Sequence, residues 1–267
     1  MDLLLGEMGS VVVAFSGGVD SAYLALRAHQ VLGSRALAVT ADSASLAGIQ
    51  RSQAASLAAD FGFAHRFLNT AELQADRYVQ NAPDRCYHCK AELFRRLLPL
   101  AQAEGYACVA YGLIADDLSD VRPGHQAAVE AGVRSPLAEA GLAKAEVRIL
   151  SRALGLPTWD LPASPCLASR VAFGIPVTAE VLGRVEAAEA RVRALGFREF
   201  RVRHRGDLAS IEIAGGEMGR LSDQGLREAL LSAVRETGYP EAVLDPQGYR
   251  RGRLHEALRV LPDESGV

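Results

Sequence analysis

The sequence predicts an α/β protein, a parallel twisted sheet with helices on both faces followed by a smaller C-terminal α/β domain. Three observations lead there. An apolar, β-forming run at 11–15 passes through a Gly-Gly turn into a helical run at 22–32. Strand-like stretches at 36–41, 63–68 and 107–111 then alternate with helix-patterned ones, the mark of a parallel sheet. Beyond residue 175 the order becomes helix, two short strands, helix, strand. The expected division is therefore 1–175 and 176–267.

Each element has a local reason. Residues 11–15 (Val-Val-Val-Ala-Phe) carry no polar position, as a strand buried on both faces requires. Gly33 stops the first helix. The second strand, 36–41, brings Thr40-Ala41-Asp42-Ser43 to its carboxyl end. An alanine-rich helix at 50–59 ends before Gly62, and 63–68 is the third strand. Residues 81–85 read as a loop that delivers Cys86-Tyr87-His88-Cys89-Lys90, with an amphipathic helix following to about 104. The fourth strand, 107–111, opens into Gly112-Leu113-Ile114-Ala115-Asp116-Asp117. Cys108 within it reads as a small buried hydrophobe. A turn-rich loop at 120–124 and a helix at 144–154, stopped by Gly155 and Pro157, come next. Residues 158–176 are non-repetitive. The C-terminal part comprises a helix at 178–194, strands at 200–205 and 210–214, a helix at 221–236 and a strand at 241–244.

Composition bounds the class. The 267 residues are 49% hydrophobic and 23% charged, enough for one large or two small domains with a real core. No run reaches the ~18 apolar residues of a membrane span. No basic segment precedes an apolar one near the N-terminus, so no secretory signal is visible and a cytoplasmic location is expected. A net charge of −3 argues against a general nucleic-acid binder. In such a setting the four cysteines are not expected to form disulfides, and the close pair reads as metal or redox chemistry.

The chemistry centres on Ser16-Gly17-Gly18-Val19-Asp20-Ser21. The two glycines let the backbone turn tightly and approach a ligand. Successive amides and a helix N-terminus there make an anion site suited to phosphate. Asp20 fits such a site if it helps hold a metal or a leaving group. The plain alternative is an ordinary strand–helix turn with a Ser or Asp cap. The motif is no Walker A, since no Gly-Lys-Ser/Thr follows. It resembles, residue for residue, the SGGxDS pyrophosphate loop of the ATP pyrophosphatases, which adenylate a substrate and release pyrophosphate. The turn at Thr40–Asp42 faces the same crevice beyond the strand ends, and the adenine is expected there, with Thr40 a candidate contact.

Cys86 and Cys89 form a CxxC pair, and Cys166 lies in a second loop. A zinc site would want four ligands, with His88 the remaining candidate. A thioredoxin-like pair does not suit the loop context. Three cysteines on two loops suit a 4Fe–4S cluster with one iron free of a protein thiolate, which could hold a sulfide. Unrelated thiols are the alternative. Arg201, Arg203 and Arg205 alternate along a strand and so share a sheet face. They form either a solvated edge or a phosphate-binding comb. Asp116 and Asp117 either ligate Mg²⁺ or cap a turn. Tyr249 and Arg250 either close over a ligand or anchor a turn.

Taken in order, SGGVDS, DRCYHCK, ADDLSDVRPG, RSPLAEAGLAKAEVR, CLASR and GYRRG resemble the ATP-dependent sulfur transferases that help make the nickel-pincer nucleotide cofactor of lactate racemase. The match runs from about residue 10 to 255. The resemblance implies ATP and Mg²⁺ as reactants and pyridinium-3,5-biscarboxylic acid mononucleotide as substrate. Adenylation of each carboxylate and displacement of AMP by sulfur would give the bisthiocarboxylic acid. It implies ATP contacts at Ser16, Gly17, Gly18, Val19, Asp20 and Ser21, and substrate-phosphate contacts at Arg201 and Arg203. Glu189 and Glu212 would line the C-terminal site. One branch of the family sacrifices a single cysteine, here Cys166. A second branch carries three, matched by Cys86, Cys89 and Cys166, and binds a 4Fe–4S cluster; this chain resembles that one. Leu113-Ile114 stand where the family has Thr-Asn, and Arg253 where it has a small polar residue. The implied partners are a small nucleotide substrate, other enzymes of nickel-pincer cofactor synthesis and further copies of the chain, with no membrane and no nucleic acid.

Other readings give different expectations. A tRNA-thiolating enzyme would show RNA binding with steep salt dependence. A non-catalytic ATP-binding or metal-storage protein would bind nucleotide and release no AMP. An amide-forming ATP pyrophosphatase leaves the three cysteines without work.

Overall fold

The computed structural model describes residues 1–119, 123–162 and 164–250. The expected loop residues Asp120, Val121 and Arg122, the last two residues of the GYRRG motif and Arg253 lie outside the described residues. The chain forms two compact units. One holds Met1–Tyr78 and Asp84–Ser164, the other Val79–Pro83 and the chain from Pro165 onward. Residue 175 lies inside the second unit.

Up to Ser164 the elements run α1 (Asp2–Met8), β1 (Val11–Ala14), α2 (Val19–Leu32), β2 (Ala36–Asp42), α3 (Gly48–Phe61), β3 (His65–Asn69), α4 (Asp76–Val79), α5 (Arg85–Ala103), β4 (Cys108–Tyr111), α6 (Pro123–Glu130), α7 (Pro136–Glu139) and α8 (Lys144–Ala153). The sheet order is β3-β2-β1-β4, every pair parallel. The α/β class read from the sequence is the class observed.

All four residues of β1 are buried, because the strand has a core on each side. Val11 and Val13 pack with Ala22 and Leu26 of α2 and Ala54 and Leu57 of α3. Val12 and Ala14 pack with Phe94 and Leu97 of α5. Apolar residues are needed on both faces, which is why the strand shows no alternation. Leu113 and Ile114, in place of the family's polar pair, are buried in these two cores.

Two elements begin elsewhere than the sequence indicates. β3 starts at His65, not Phe63. Gly62 closes α3 in the left-handed region, and Phe63 is used in an edge-to-face contact with Phe15, ring centroids 5.4 Å apart. α5 starts at Arg85, so Cys86 and Cys89 are the second and fifth residues of a helix and do not stand on a loop. Cys108 is only half-buried, donates to the Ser10 carbonyl at 3.7 Å, and burial pushes its thiol up.

The second unit contains α9 (Ala179–Ala194), β5 (Phe200–Arg205), β6 (Leu208–Ile213), α10 (Gly215–Met218), α11 (Gln224–Arg235) and β7 (Glu241–Leu244). β5 pairs antiparallel with β6, and β6 parallel with β7. Ala188 and Val192 of α9 and Leu230 and Val234 of α11 pack with Val202 and Ile211 of the strands. Thr178 caps α9 by accepting from Val181 N–H at 3.1 Å. The short segment Val79–Pro83 is tied in by buried Asn81, whose amide donates to the carbonyls of Ala172 (2.8 Å) and Ile175 (2.9 Å). Among the described residues no helix is long and apolar enough to cross a membrane.

The exit of β4 presses on the start of α2. A Cβ on Gly112 would fall 2.9 Å from the Ser21 nitrogen and 3.1 Å from the Asp20 carbonyl carbon. Both are helix backbone, which cannot swing aside. Gly112→Ala is expected to destabilise the chain by about 1–3 kcal/mol, the usual cost of forced overpacking, measured by urea denaturation. Unchanged stability would show that the two segments separate freely.

Candidate functional site

In the first unit the candidate residues gather at the carboxyl ends of β1 and β2, where ligands of open parallel sheets sit. Phe15 N–H donates to the Val39 carbonyl at 2.8 Å, which sets the turn after β1 beside Thr40. Gly17 has φ +75°, a conformation that strains any residue with a Cβ, and Ala54 would meet an added Cβ at 3.5 Å. Gln53 of α3 donates to the Gly17 carbonyl at 2.8 Å. The two serines brace the turn from inside. Ser21 Oγ accepts from Ser16 N–H at 3.2 Å, donates to the Gly18 carbonyl at 3.1 Å and lies 3.1 Å from Ser16 Oγ. No side chain caps α2 at Gly18. The cap residue itself offers no side-chain acceptor to the opening amides, the Gly18 N–H donates to Ser16 Oγ at 3.4 Å, and with the helix dipole the amides favour an anion.

Asp20 has a partner that sequence reasoning missed. Both its carboxylate oxygens accept from Lys144 Nζ, at 2.6 and 2.8 Å, across 124 residues of chain. Lys144 opens α8, and its backbone N–H donates to Asp116 Oδ2 at 2.8 Å. Asp117 Oδ2 lies 3.5 Å from Ile114 N. Asp116 thus meets the start of α8 and Asp117 its own turn. A lysine at the first position of a helix opposes the dipole, and that unfavourable placement was the one signal in the sequence that could have found it.

Thr40 is buried, and its hydroxyl lies 2.9 Å from His65 Nε2. Asp42 pairs with Arg51 at 3.0 Å, and the Arg51 guanidinium stacks 4.2 Å over Phe67.

Cys86 is exposed and Cys89 half-buried. Three positions apart on a helix, they share a face, as two thiolates of one metal site must. His88 Nε2 lies 3.1 Å from Asp84 Oδ2, and the Tyr87 hydroxyl donates to Glu130 at 2.5 Å. Cys166 belongs to the second unit. Among the described residues no three His, Cys, Asp or Glu side chains form a group that could hold a metal ion. The thiols fit an iron–sulfur site in type and in the spacing of the pair.

In the second unit Cys166 sits at the head of a short turn that is pinned from below. Its carbonyl accepts from Ser169 N–H (3.0 Å), Ser169 Oγ (2.7 Å) and Arg170 Nη1 (3.0 Å). Arg170 also donates to buried Glu189, at 2.9 Å from Nε and 3.2 Å from Nη2. Arg203 bonds Glu212 at 3.0 Å and the Ser169 carbonyl at 2.8 Å. Arg201 donates to the Phe200 carbonyl at 2.5 Å and stacks 4.7 Å from the centre of the Tyr249 ring. Burial, and next the charge of Arg170, pulls the Arg201 guanidinium below its ordinary value. Arg205, third of the alternating set, is exposed at the strand end. The cluster brings the guanidinium groups of Arg170, Arg201 and Arg203 close to the carboxylates of Glu189 and Glu212. Arg170 lies inside the CLASR motif, but nothing local in the sequence marks its contact with Glu189.

The His65 imidazole is held below its ordinary value by burial. The folded state thus favours the neutral ring, while the unfolded chain takes a proton near pH 6.5. Its stabilising contribution is complete above about pH 6.5 and is lost as the pH falls towards the lowered folded value. Urea midpoints should drop between about pH 7.5 and 5.5, and His65→Gln should flatten that slope; an unchanged slope would contradict a neutral buried ring.

No family model matches the chain. An uncharacterized protein of Synechocystis sp. is 44% identical over 254 residues, which is 95% of this chain and 94% of that protein. The pyridinium-3,5-bisthiocarboxylic acid mononucleotide synthase of Lactiplantibacillus plantarum is 36% identical over 255 residues, 95% of this chain and 92% of the synthase. An uncharacterized protein of Methanocaldococcus jannaschii is 25% identical over 240 residues, 90% of each chain. At that identity and that coverage, the chain belongs to the family of the pyridinium-3,5-bisthiocarboxylic acid mononucleotide synthase, the family its motifs resemble.

Proposed function

We propose that the chain converts pyridinium-3,5-biscarboxylic acid mononucleotide into the bisthiocarboxylic acid mononucleotide, consuming ATP at each carboxylate. The observation that carries this reading is the Ser16–Ser21 turn. It joins strand to helix through left-handed Gly17 with α2 uncapped, in a chain 36% identical to a synthase of that product.

A carboxylate is a poor acyl donor, so it must first be activated. One carboxylate oxygen attacks the α-phosphorus of ATP. The bond from that phosphorus to the bridging oxygen breaks, and pyrophosphate leaves with the electron pair. Sulfur, donated at the sulfide level, then attacks the carbonyl carbon of the acyl adenylate. The bond to the AMP oxygen breaks, AMP departs, and a thiocarboxylate remains. The amides of the turn, with Ser16 and Ser21, offset charge on the departing phosphates. Thr40 contacts the nucleoside end. Mg²⁺, when bound, would neutralise the polyphosphate, and Asp20 is the carboxylate we assign to hold it. That the Asp20 carboxylate already takes an ammonium with both oxygens supports this role.

Arg201 and Arg203 take the substrate phosphate. The burial that lowers the Arg201 guanidinium supports the reading, because an arriving phosphate offsets a charge that burial makes costly. Cys86, Cys89 and Cys166 would hold a 4Fe–4S cluster, which when bound supplies a sulfide at the iron without a protein thiolate. Arg170 and Ser169 fix the Cys166 backbone whatever the sulfur source.

Two measurements test this. Arg201→Lys with Arg203→Lys keeps both charges but loses the planar fork. Substrate binding should weaken at least 10-fold, on the scale of one charge-assisted bond, with ATP binding unchanged; equal losses would contradict the phosphate assignment. Anaerobically purified protein should carry about four irons per chain, and Cys86→Ala none. An iron-free wild type whose Cys166 loses its sulfur during turnover would make the chain a single-use sulfur donor.

A further inference from the structure

We propose that Tyr249 is a positioning residue: its ring holds the Arg201 guanidinium in place before the substrate's phosphate arrives. The proposal rests on reading Arg201 as a phosphate contact. It gives Tyr249 a role that the GYRRG motif left open between closing over a ligand and anchoring a turn.

The arginines of the cluster are oriented in two ways. Arg170 and Arg203 are each bonded to a buried carboxylate, Glu189 and Glu212. Such a partner orients a guanidinium and neutralises it at the same time. Arg201 is met by an aromatic face. Its guanidinium carbon stands 4.7 Å from the centre of the Tyr249 ring, and its Nη2 lies 3.4 Å from the Tyr249 hydroxyl. A ring face attracts a planar cation and fixes its plane, but brings no net charge to cancel it. Arg201 is buried, and burial makes its charge costly. The stacked ring therefore adds orientation without removing the demand for an anion.

The ring is seated by backbone. Tyr249 N–H donates to the Ile213 carbonyl at the end of β6, at 2.9 Å. Asp245 N–H donates to the Ile211 carbonyl of the same strand at 2.8 Å, and Gly248 N–H to the Asp245 carbonyl at 3.1 Å. Asp245 Oδ1 accepts the Gln247 N–H at 2.9 Å. Gly248 has φ +65°, and a Cβ there would fall 2.5 Å from the Ile213 carbonyl oxygen and 2.8 Å from the Met218 sulfur. Glycine lets the chain pass that close to β6 and deliver the tyrosine. The same strand holds Glu212, which lies opposite Arg201 in the β5–β6 register and bonds Arg203. One strand end thus fixes the surroundings of both arginines. A long side chain that must be ordered on binding weakens affinity. With Tyr249 in place, Arg201 is ordered beforehand.

The test asks whether Tyr249 acts through Arg201. Binding of pyridinium-3,5-biscarboxylic acid mononucleotide is measured by calorimetry, and folding by thermal midpoint. The variants are Tyr249→Phe, Tyr249→Leu, Tyr249→Gln, Arg201→Gln, and Arg201→Gln combined with Tyr249→Leu. Tyr249→Leu and Tyr249→Gln should each weaken binding roughly 3- to 10-fold, the scale of ordering one long side chain. Tyr249→Phe keeps the ring and should retain most of the affinity. With Arg201→Gln already present, Tyr249→Leu should cost almost nothing more, because no cation remains for the ring to hold. Unchanged affinity in Tyr249→Leu and Tyr249→Gln, a loss in Tyr249→Phe as large as in Tyr249→Leu, or losses that multiply in the double variant would overturn the proposal. Arg201→Gln binding the mononucleotide as tightly as wild type would overturn the phosphate reading itself, and with it this one.

Discussion

The first unit is shaped around one backbone reversal, the turn through Gly17 and Gly18 at the end of β1. A strand buried on both faces can end only in the crevice above the sheet, and there the chain must turn at once into α2. An L-residue at φ +75° would cost roughly 1–2 kcal/mol, so glycine is the residue that fits. The turn is then held from four directions: Ser16 and Ser21 within it, Gln53 on the Gly17 carbonyl, Ala54 beneath, and Gly112 packed against the first turn of the helix. On the proposed reading, a nest of amides works as an anion site only if it holds its shape, and this bracing would serve that end. Rigidity would then have the same purpose as the glycine, which is to present backbone donors without reorganisation.

The second unit follows a different logic. Arg170 and Glu189 are almost completely buried, and Arg203 and Glu212 nearly so. Buried ion pairs seldom stabilise more than apolar residues of the same volume would, because desolvation offsets the attraction. Their value lies in orientation. Arg170 fastens the turn bearing Cys166, and Arg203 fastens the same turn through the Ser169 carbonyl. One network therefore positions the sulfur-bearing residue and the arginines read as the phosphate site.

Much of this was legible in the sequence because it is local. β1, the glycine turn and α2 are adjacent in the chain, and the strands at 200–205 and 241–244 fall where alternation and punctuation put them. What escaped was set by tertiary contact. The start of β3 was displaced because Phe63 is used against Phe15. The CxxC pair is helical because α5 begins one residue before it. Asp20 finds Lys144, Thr40 finds His65 and Arg170 finds Glu189 through pairings that no window of neighbouring residues contains. Motif reading identified Asp20 as unusual in a phosphate site, and only the fold supplied its counter-charge.

The most direct measurement is single-turnover mass spectrometry on anaerobically purified protein with ATP, Mg²⁺ and pyridinium-3,5-biscarboxylic acid mononucleotide. The account predicts a product in which oxygen is replaced by sulfur at a carboxylate, with one AMP and one pyrophosphate released for each sulfur inserted. Sulfur insertion without AMP, or AMP release with the carboxylates unchanged, would contradict it.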